Sequence, residues 1–212
     1  MAIVDFIDHT YLKPNATTAE IQKLCDEAKS YGFYAVCVNG CHVPIAKERL
    51  RNTPIKVAAV IGFPLGAMST KVKVFEAVDC VENGADEIDM VINIGWLKSE
   101  MHDAVRDEIK AIKQAIGGKI LKVIIETCYL TDSEKEKACT LGVEANADFV
   151  KTSTGFGTGG ATFEDVKLMK SVVGDKAKIK ASGGIKDKET AQKYIDLGVS
   201  RIGTSSGPNL IK

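Results

Sequence analysis

Three short apolar runs in this 212-residue sequence each carry a charge where a buried strand should have none. In Glu87-Ile88-Asp89-Met90-Val91-Ile92-Asn93 the strand period of two puts Ile88, Met90 and Ile92 on one face and Asp89 on the other. Phe149, Lys151 and Ser153 form the corresponding series in Phe149-Val150-Lys151-Thr152-Ser153, and Lys178, Lys180 and Ser182 do so in Lys178-Ile179-Lys180-Ala181-Ser182. A strand covered on both faces normally reads as a continuous apolar run, so these charges point to chemistry. Mutual neutralisation does not account for Lys151 beside Lys180, because two lysines on adjacent strands repel. At about 4 Å and an effective dielectric near 20, two unit charges interact by ~4 kcal/mol, or about three pKa units. A lysine moved down that far is a free amine nucleophile at neutral pH, and desolvation acts in the same direction. Asp89 can then act as the acid/base partner. Lys122 and Glu126 point the same way in a fifth run, and there neutralisation in a polar layer explains them as well as chemistry does.

A second pattern recurs at the ends of strands. Val150-Lys151-Thr152-Ser153-Thr154-Gly155, Ile179-Lys180-Ala181-Ser182-Gly183-Gly184 and Ile202-Gly203-Thr204-Ser205-Ser206-Gly207 share the form aliphatic, x, x, Ser, x, Gly, at offsets of 29 and 23 residues. Glycine lets backbone N–H groups approach an anion, and serine adds a hydroxyl donor. Tight turns alone would explain the glycines but not the repeated serines. Gly183, Gly184, Ser205, Ser206 and Thr154 are therefore the expected contacts for a phosphorylated small molecule.

The elements that hold these residues are read from the alternation of short apolar runs with longer amphipathic stretches, the mark of a parallel sheet covered by helices. Eight strands are expected: 6–11, 34–39, 56–63, 87–93, 120–126, 149–154, 178–183 and 201–205. Helices are expected at 18–31, 42–51, 70–83, 98–116, 132–146, 163–173 and 187–197. Eight βα units in one α/β domain, residues 1–212, close most naturally into a (β/α)₈ TIM barrel, whose ligands bind at the C-terminal ends of the strands. No Gly-x-Gly-x-x-Gly follows the first strands, as a doubly wound sheet would usually require. Little chain follows the last strand, so the eighth helix is expected to be short or missing.

Lys+Arg and Asp+Glu are equal at 28 each, so no net field draws nucleic acid or an anionic membrane. The six cysteines fall in core elements and the chain opens on no export signal, which favours reduced thiols in the cytoplasm. Cys37, Cys41 and His42 come nearest to a metal cluster, but no second ligand pair accompanies them and packing is the better reading.

Together these segments resemble the deoxyribose-phosphate aldolase family of class I aldolases. The resemblance is carried by Asp8-His9-Thr10-Tyr11-Leu12-Lys13, Val36-Cys37-Val38-Asn39, Gly62-Phe63-Pro64-Leu65-Gly66 and Asp86 to Asn93. It continues through Lys122 to Thr127, Val150 to Gly155, Lys180 to Ile185 and Arg201 to Ser206, so it spans essentially the whole chain. It implies reversible cleavage of 2-deoxy-D-ribose 5-phosphate to D-glyceraldehyde 3-phosphate and acetaldehyde, with Lys151 as the Schiff-base lysine and Asp89 and Lys180 as the proton-moving pair. It implies no metal or organic cofactor, and a homodimer. Asp8 and Thr10 would orient sugar hydroxyls, with a structural role for His9 and its neighbours standing beside that reading. The sequence departs from the family at Asn209-Leu210-Ile211-Lys212, where some members carry a tail ending in a tyrosine that assists proton transfer. Two other readings are a Schiff-base barrel for a different phosphorylated aldehyde or ketose, and a phosphosugar sensor without turnover.

Overall fold

The structure, a computed structural model, describes residues 2–211. Eight parallel strands close a barrel in chain order: β1 (Ile7–Thr10), β2 (Ala35–Asn39), β3 (Lys56–Ile61), β4 (Glu87–Val91), β5 (Ile120–Ile124), β6 (Phe149–Lys151), β7 (Lys178–Ser182) and β8 (Arg201–Thr204). Around it lie α1 (Thr18–Tyr31), α2 (Val43–Arg49), α3 (Thr70–Glu82), α4 (Ile94–Lys98), α5 (His102–Ala115), α6 (Asp132–Glu144), α7 (Phe163–Val173) and α8 (Lys188–Asp196). The expected TIM barrel is present, and after β8 only a 3₁₀ turn, Gly207–Leu210, follows. Eight α-helices are nevertheless found among the described residues, because a short helix, α4, precedes the one expected at 98–116, which runs as α5 from His102. Asn93 caps α4 by accepting from the Trp96 N–H, and the left-handed backbone of Glu100 (φ 58°) separates α4 from α5.

Helix starts follow side-chain chemistry. Thr17 and Thr131 open α1 and α6 with capping boxes closed by Glu20 and Glu134, while Thr162 and Asp187 cap α7 and α8. Each such cap contributes about 1 kcal/mol. Gly32 ends α1 in the left-handed region, φ 69°, which a side chain would resist.

The main apolar core lies between strands and helices. Ile88, Met90 and Ile92 of the β4 segment, Val123 of β5 and Ile179 of β7 are all buried there. Burying a side chain of this size stabilises by about 1.5–3 kcal/mol. A small second cluster, Leu12, Cys37, Ala58 and Val60, with Phe63 packed against it, fills one side of the barrel interior. Much of the rest of the interior is charged, with Asp8, Glu87, Asp89, Lys122, Lys151, Lys180 and Arg201 all buried.

Candidate active site

Inside the barrel, the strand register sets charges opposite one another. Asp89 of β4 pairs with Lys122 of β5, Lys151 of β6 with Lys180 of β7, and Lys180 with Arg201 of β8. Asp89 is fully buried and accepts from three lysines: Lys122 at Oδ1 (2.6 Å), and both Lys151 and Lys180 at Oδ2 (2.8 Å each). Lys180 also donates to Asp8 Oδ2 at 2.5 Å. Below them, Lys122 approaches Glu87 Oε2 at 2.6 Å. Arg201 reaches Asp8 at 3.1 Å and both Glu87 oxygens at 3.1 and 3.2 Å, with its guanidinium stacked 3.3 Å over the Tyr34 ring.

These contacts divide the lysines into two kinds. Burial pushes the Lys151 ammonium toward its neutral form, Asp89 opposes this, and the Lys180 cation adds to the push; the net shift is downward. For Lys180 the burial penalty is outweighed by Asp8 and Asp89, so it is held firmly protonated. Burial alone would raise the Asp89 carboxyl, but Lys122, Lys151 and Lys180 take it well below the usual carboxylate range. The main cause of the Lys151 shift is therefore desolvation. Repulsion between Lys151 and Lys180, expected from sequence to dominate, is the smaller effect because Asp89 lies between the two ammonium groups.

A cavity of about 420 Å³ opens at the C-terminal ends of the strands. Its walls carry Thr10, Leu12, Thr154, Phe156, Ser182 and Ser205, and three lysines, Lys13, Lys151 and Lys186, with no carboxylate among the lining residues. Of the buried charge cluster, Lys151 alone is part of this lining. Asp89 and Lys180 lie one layer beneath it. Gly203 makes room for this arrangement: a Cβ there would stand 2.3 Å from Ser182 Oγ and 3.1 Å from Lys180 Cε. Ser153 and Ser182 keep buried hydroxyls with no hydrogen-bond partner in the protein. A larger hollow of about 820 Å³ beside α6 and α7 contains none of the inward lysines.

The expected anion contacts divide. Gly183, Gly184, Ser205 and Thr154 line the cavity, whereas Ser206 does not; its N–H turns back to Thr204 Oγ1 at 2.9 Å. Asp8 does not meet the cavity either, since Lys180 and Arg201 occupy its two oxygens. Lys178 is exposed at the foot of β7, with its ammonium 5.7 Å from the centre of the Phe149 ring, not inward as the strand period suggested. Lys122 and Glu126 do not neutralise each other. Glu126 lies past the end of β5 with φ 54° and accepts from the Thr154 N–H at 3.0 Å and from the Thr154 hydroxyl. His9 faces outward and pairs with Glu27 at 2.7 Å. Among the described residues no three His, Cys, Asp or Glu side chains are grouped to hold a metal.

Glu87 and Arg201 were missed by the sequence reading, although the same period of two that places Asp89 inward also places Glu87 inward. Lys13 and Lys186 were missed as cavity cations because loop residues carry no such period.

The model of the DeoC/LacD aldolase family matches residues 2–210. The chain belongs to this family. A deoxyribose-phosphate aldolase of Finegoldia magna is 58% identical over 212 residues, covering 100% of both chains. One from Thermococcus gammatolerans is 58% identical over 217 residues, covering 100% of this chain and 96% of its own. Among solved structures, the tetrameric deoxyribose phosphate aldolase from Aeropyrum pernix superposes with a TM-score of 0.91 at 33% identity, covering 99% of this chain and 89% of that one. An aldolase designated QR15 superposes with a TM-score of 0.95 at 46% identity, covering 98% and 93%.

Proposed function

We propose that this chain is a class I aldolase that reversibly cleaves 2-deoxy-D-ribose 5-phosphate to D-glyceraldehyde 3-phosphate and acetaldehyde. The observation that carries the reading is that Lys151, alone of the buried cluster, lines a cavity that also holds the cations Lys13 and Lys186 and no carboxylate. Lys151 adds as a free amine to the aldehyde carbon, and loss of water gives an iminium. The bond between C2 and C3 breaks, its electron pair moves toward the iminium nitrogen, and the C3 hydroxyl gives up its proton as the new aldehyde forms. Asp89, relayed through the Lys180 ammonium or a water, takes that proton. The remaining enamine is protonated at carbon, and hydrolysis frees acetaldehyde and Lys151. Gly183, Gly184 and Ser205, with Lys13 and Lys186 at the same cavity, supply donors and positive charge for the phosphate.

The whole chain acts as one catalytic domain in this reading. The partner is a small phosphorylated sugar. No helix among the described residues is long and apolar enough to cross a membrane. Six free cysteines fit a reducing, cytoplasmic setting. Leu65, Val72 and Phe75, before and on α3, are 71%, 53% and 77% exposed, an apolar excess not seen from sequence that favours a homodimer.

The test is borohydride reduction in the presence of acetaldehyde or deoxyribose 5-phosphate, followed by peptide mapping. A stable mass on the Lys151 peptide is expected. Mass on Lys180 instead would reverse the two roles, and saturable binding with neither label nor acetaldehyde would favour a sensor.

A further inference from the structure

Lys122 has no part in the steps above and does not line the cavity, yet it is fully buried at the centre of the charge cluster. Neutralising Glu87 does not explain it, because Arg201 already donates to both Glu87 oxygens. Its distinctive contact is the 2.6 Å hydrogen bond to Asp89 Oδ1, on the opposite side of the carboxylate from Lys151 and Lys180.

A charge count shows why this matters. Lys122, Lys151, Lys180 and Arg201 face Asp8, Glu87 and Asp89, so the full set carries one surplus positive charge. In a water-poor interior, that surplus is relieved when one lysine gives up its proton. Lys180 touches two carboxylates, and Lys122 touches Asp89 and Glu87 closely with Asp8 at 3.7 Å. Lys151 touches one carboxylate oxygen, which it shares.

We propose that Lys122 is a positioning residue that makes Lys151 the lysine to lose its proton, by holding Oδ1 of Asp89 so that this carboxylate cannot serve Lys151 alone. The charged and titratable groups acting on Lys151 are Asp89 from β4, Lys180 from β7 and the Cys37 thiol from β2, with Lys122 of β5 behind Asp89 and with Asp8 of β1 and Arg201 of β8 behind Lys180. Without Lys122, the Asp89 charge is less compensated and a nearby cation is gone. Both changes favour protonated Lys151.

The inference rests on Lys151 being the nucleophile, which reductive trapping in the unaltered enzyme tests separately. The experiment is the pH dependence of kcat/KM for deoxyribose 5-phosphate, and of acetaldehyde trapping at the Lys151 peptide, in Lys122→Met. The acid limb of both curves should move to higher pH by about one unit or more. Lys122→Met combined with Glu87→Gln removes one charge of each sign and keeps the one-charge surplus, so it should show a smaller displacement in the same direction, set by the freed Oδ1 alone. Lys122→Arg should restore the limb. Curves that drop in height without moving along the pH axis would overturn the proposal. So would loss of the fold in both variants, because Lys122 would then be a structural residue.

Discussion

Lys151 and Lys180 stand opposite each other across the β6–β7 register, and both donate to the same oxygen, Oδ2 of Asp89, at 2.8 Å. One carboxylate atom therefore links the amine proposed to bond substrate to the ammonium proposed to relay protons. Asp89→Asn keeps the shape but removes the charge. It leaves Lys151 easier to deprotonate, so reductive trapping at Lys151 should persist. Carbon–carbon cleavage should slow by about a hundred-fold or more, the usual scale for a lost acid/base. Stopped-flow cleavage rates beside trapping yields separate the two, and unchanged turnover would remove Asp89 from the proton path.

Gly203 supports the same arrangement by having no side chain. A methyl group at this position meets Ser182 Oγ at 2.3 Å and Lys180 Cε at 3.1 Å, so both must move. Gly203→Ala should lower kcat/KM by about a hundred-fold, since displacements near 1 Å at a reacting group cost on that scale. The destabilisation should stay within about 1–3 kcal/mol. Denaturant unfolding and kinetics on the same sample give both quantities.

Ser205 lines the cavity and Ser206 does not. Ser205→Asp should place a negative charge near the substrate phosphate and weaken kcat/KM for deoxyribose 5-phosphate by about ten- to a hundred-fold after solvent screening. Unphosphorylated deoxyribose should lose far less. Ser206→Asp should have the smaller effect of the two, and the reverse order would move the anion site toward the 3₁₀ turn.

Asp8 predicts how stability responds to acid. Burial pushes its carboxyl up, but Lys180, Lys122 and Arg201 outweigh that and bring it from 3.8 to about 2. The folded value is below the unfolded one, so the contribution is complete above pH ~4 and is lost as pH falls toward ~2. It is on the order of 2 kcal/mol. The gap in unfolding free energy between the wild type and Asp8→Asn should shrink through that window. A gap independent of pH would show that Asp8 acts through shape alone.

The sequence made the barrel legible because its strands are short, apolar and regularly spaced, and the inward placement of Asp89, Lys151 and Lys180 followed from the strand period. That period fails at strand ends. Lys178 escapes to solvent at the foot of β7, and Glu126 turns left-handed past β5 to bind Thr154. It also says nothing about partners, so Lys122 could be assigned to Glu126 on its own strand when it bonds to Asp89 and Glu87 of the neighbouring strand β4. Lys73 shows the same limit outside the barrel: its buried pairing with Glu108 at 2.8 Å joins α3 to α5 over 35 residues of sequence.

The groups proposed for the bond-breaking steps, Asp89, Lys151 and Lys180, hang from β4, β6 and β7 and brace one another strand to strand. Most of the cavity wall comes instead from segments beyond the strand ends, including Leu12, Phe156 and Ser205. In the proposed reaction, reactivity and recognition thus fall largely on different parts of the chain, which meet at Lys151. A designer seeking a new acceptor aldehyde can vary the wall residues while leaving every contact of Asp89 in place, and selection on this scaffold can broaden its scope without rebuilding its nucleophile.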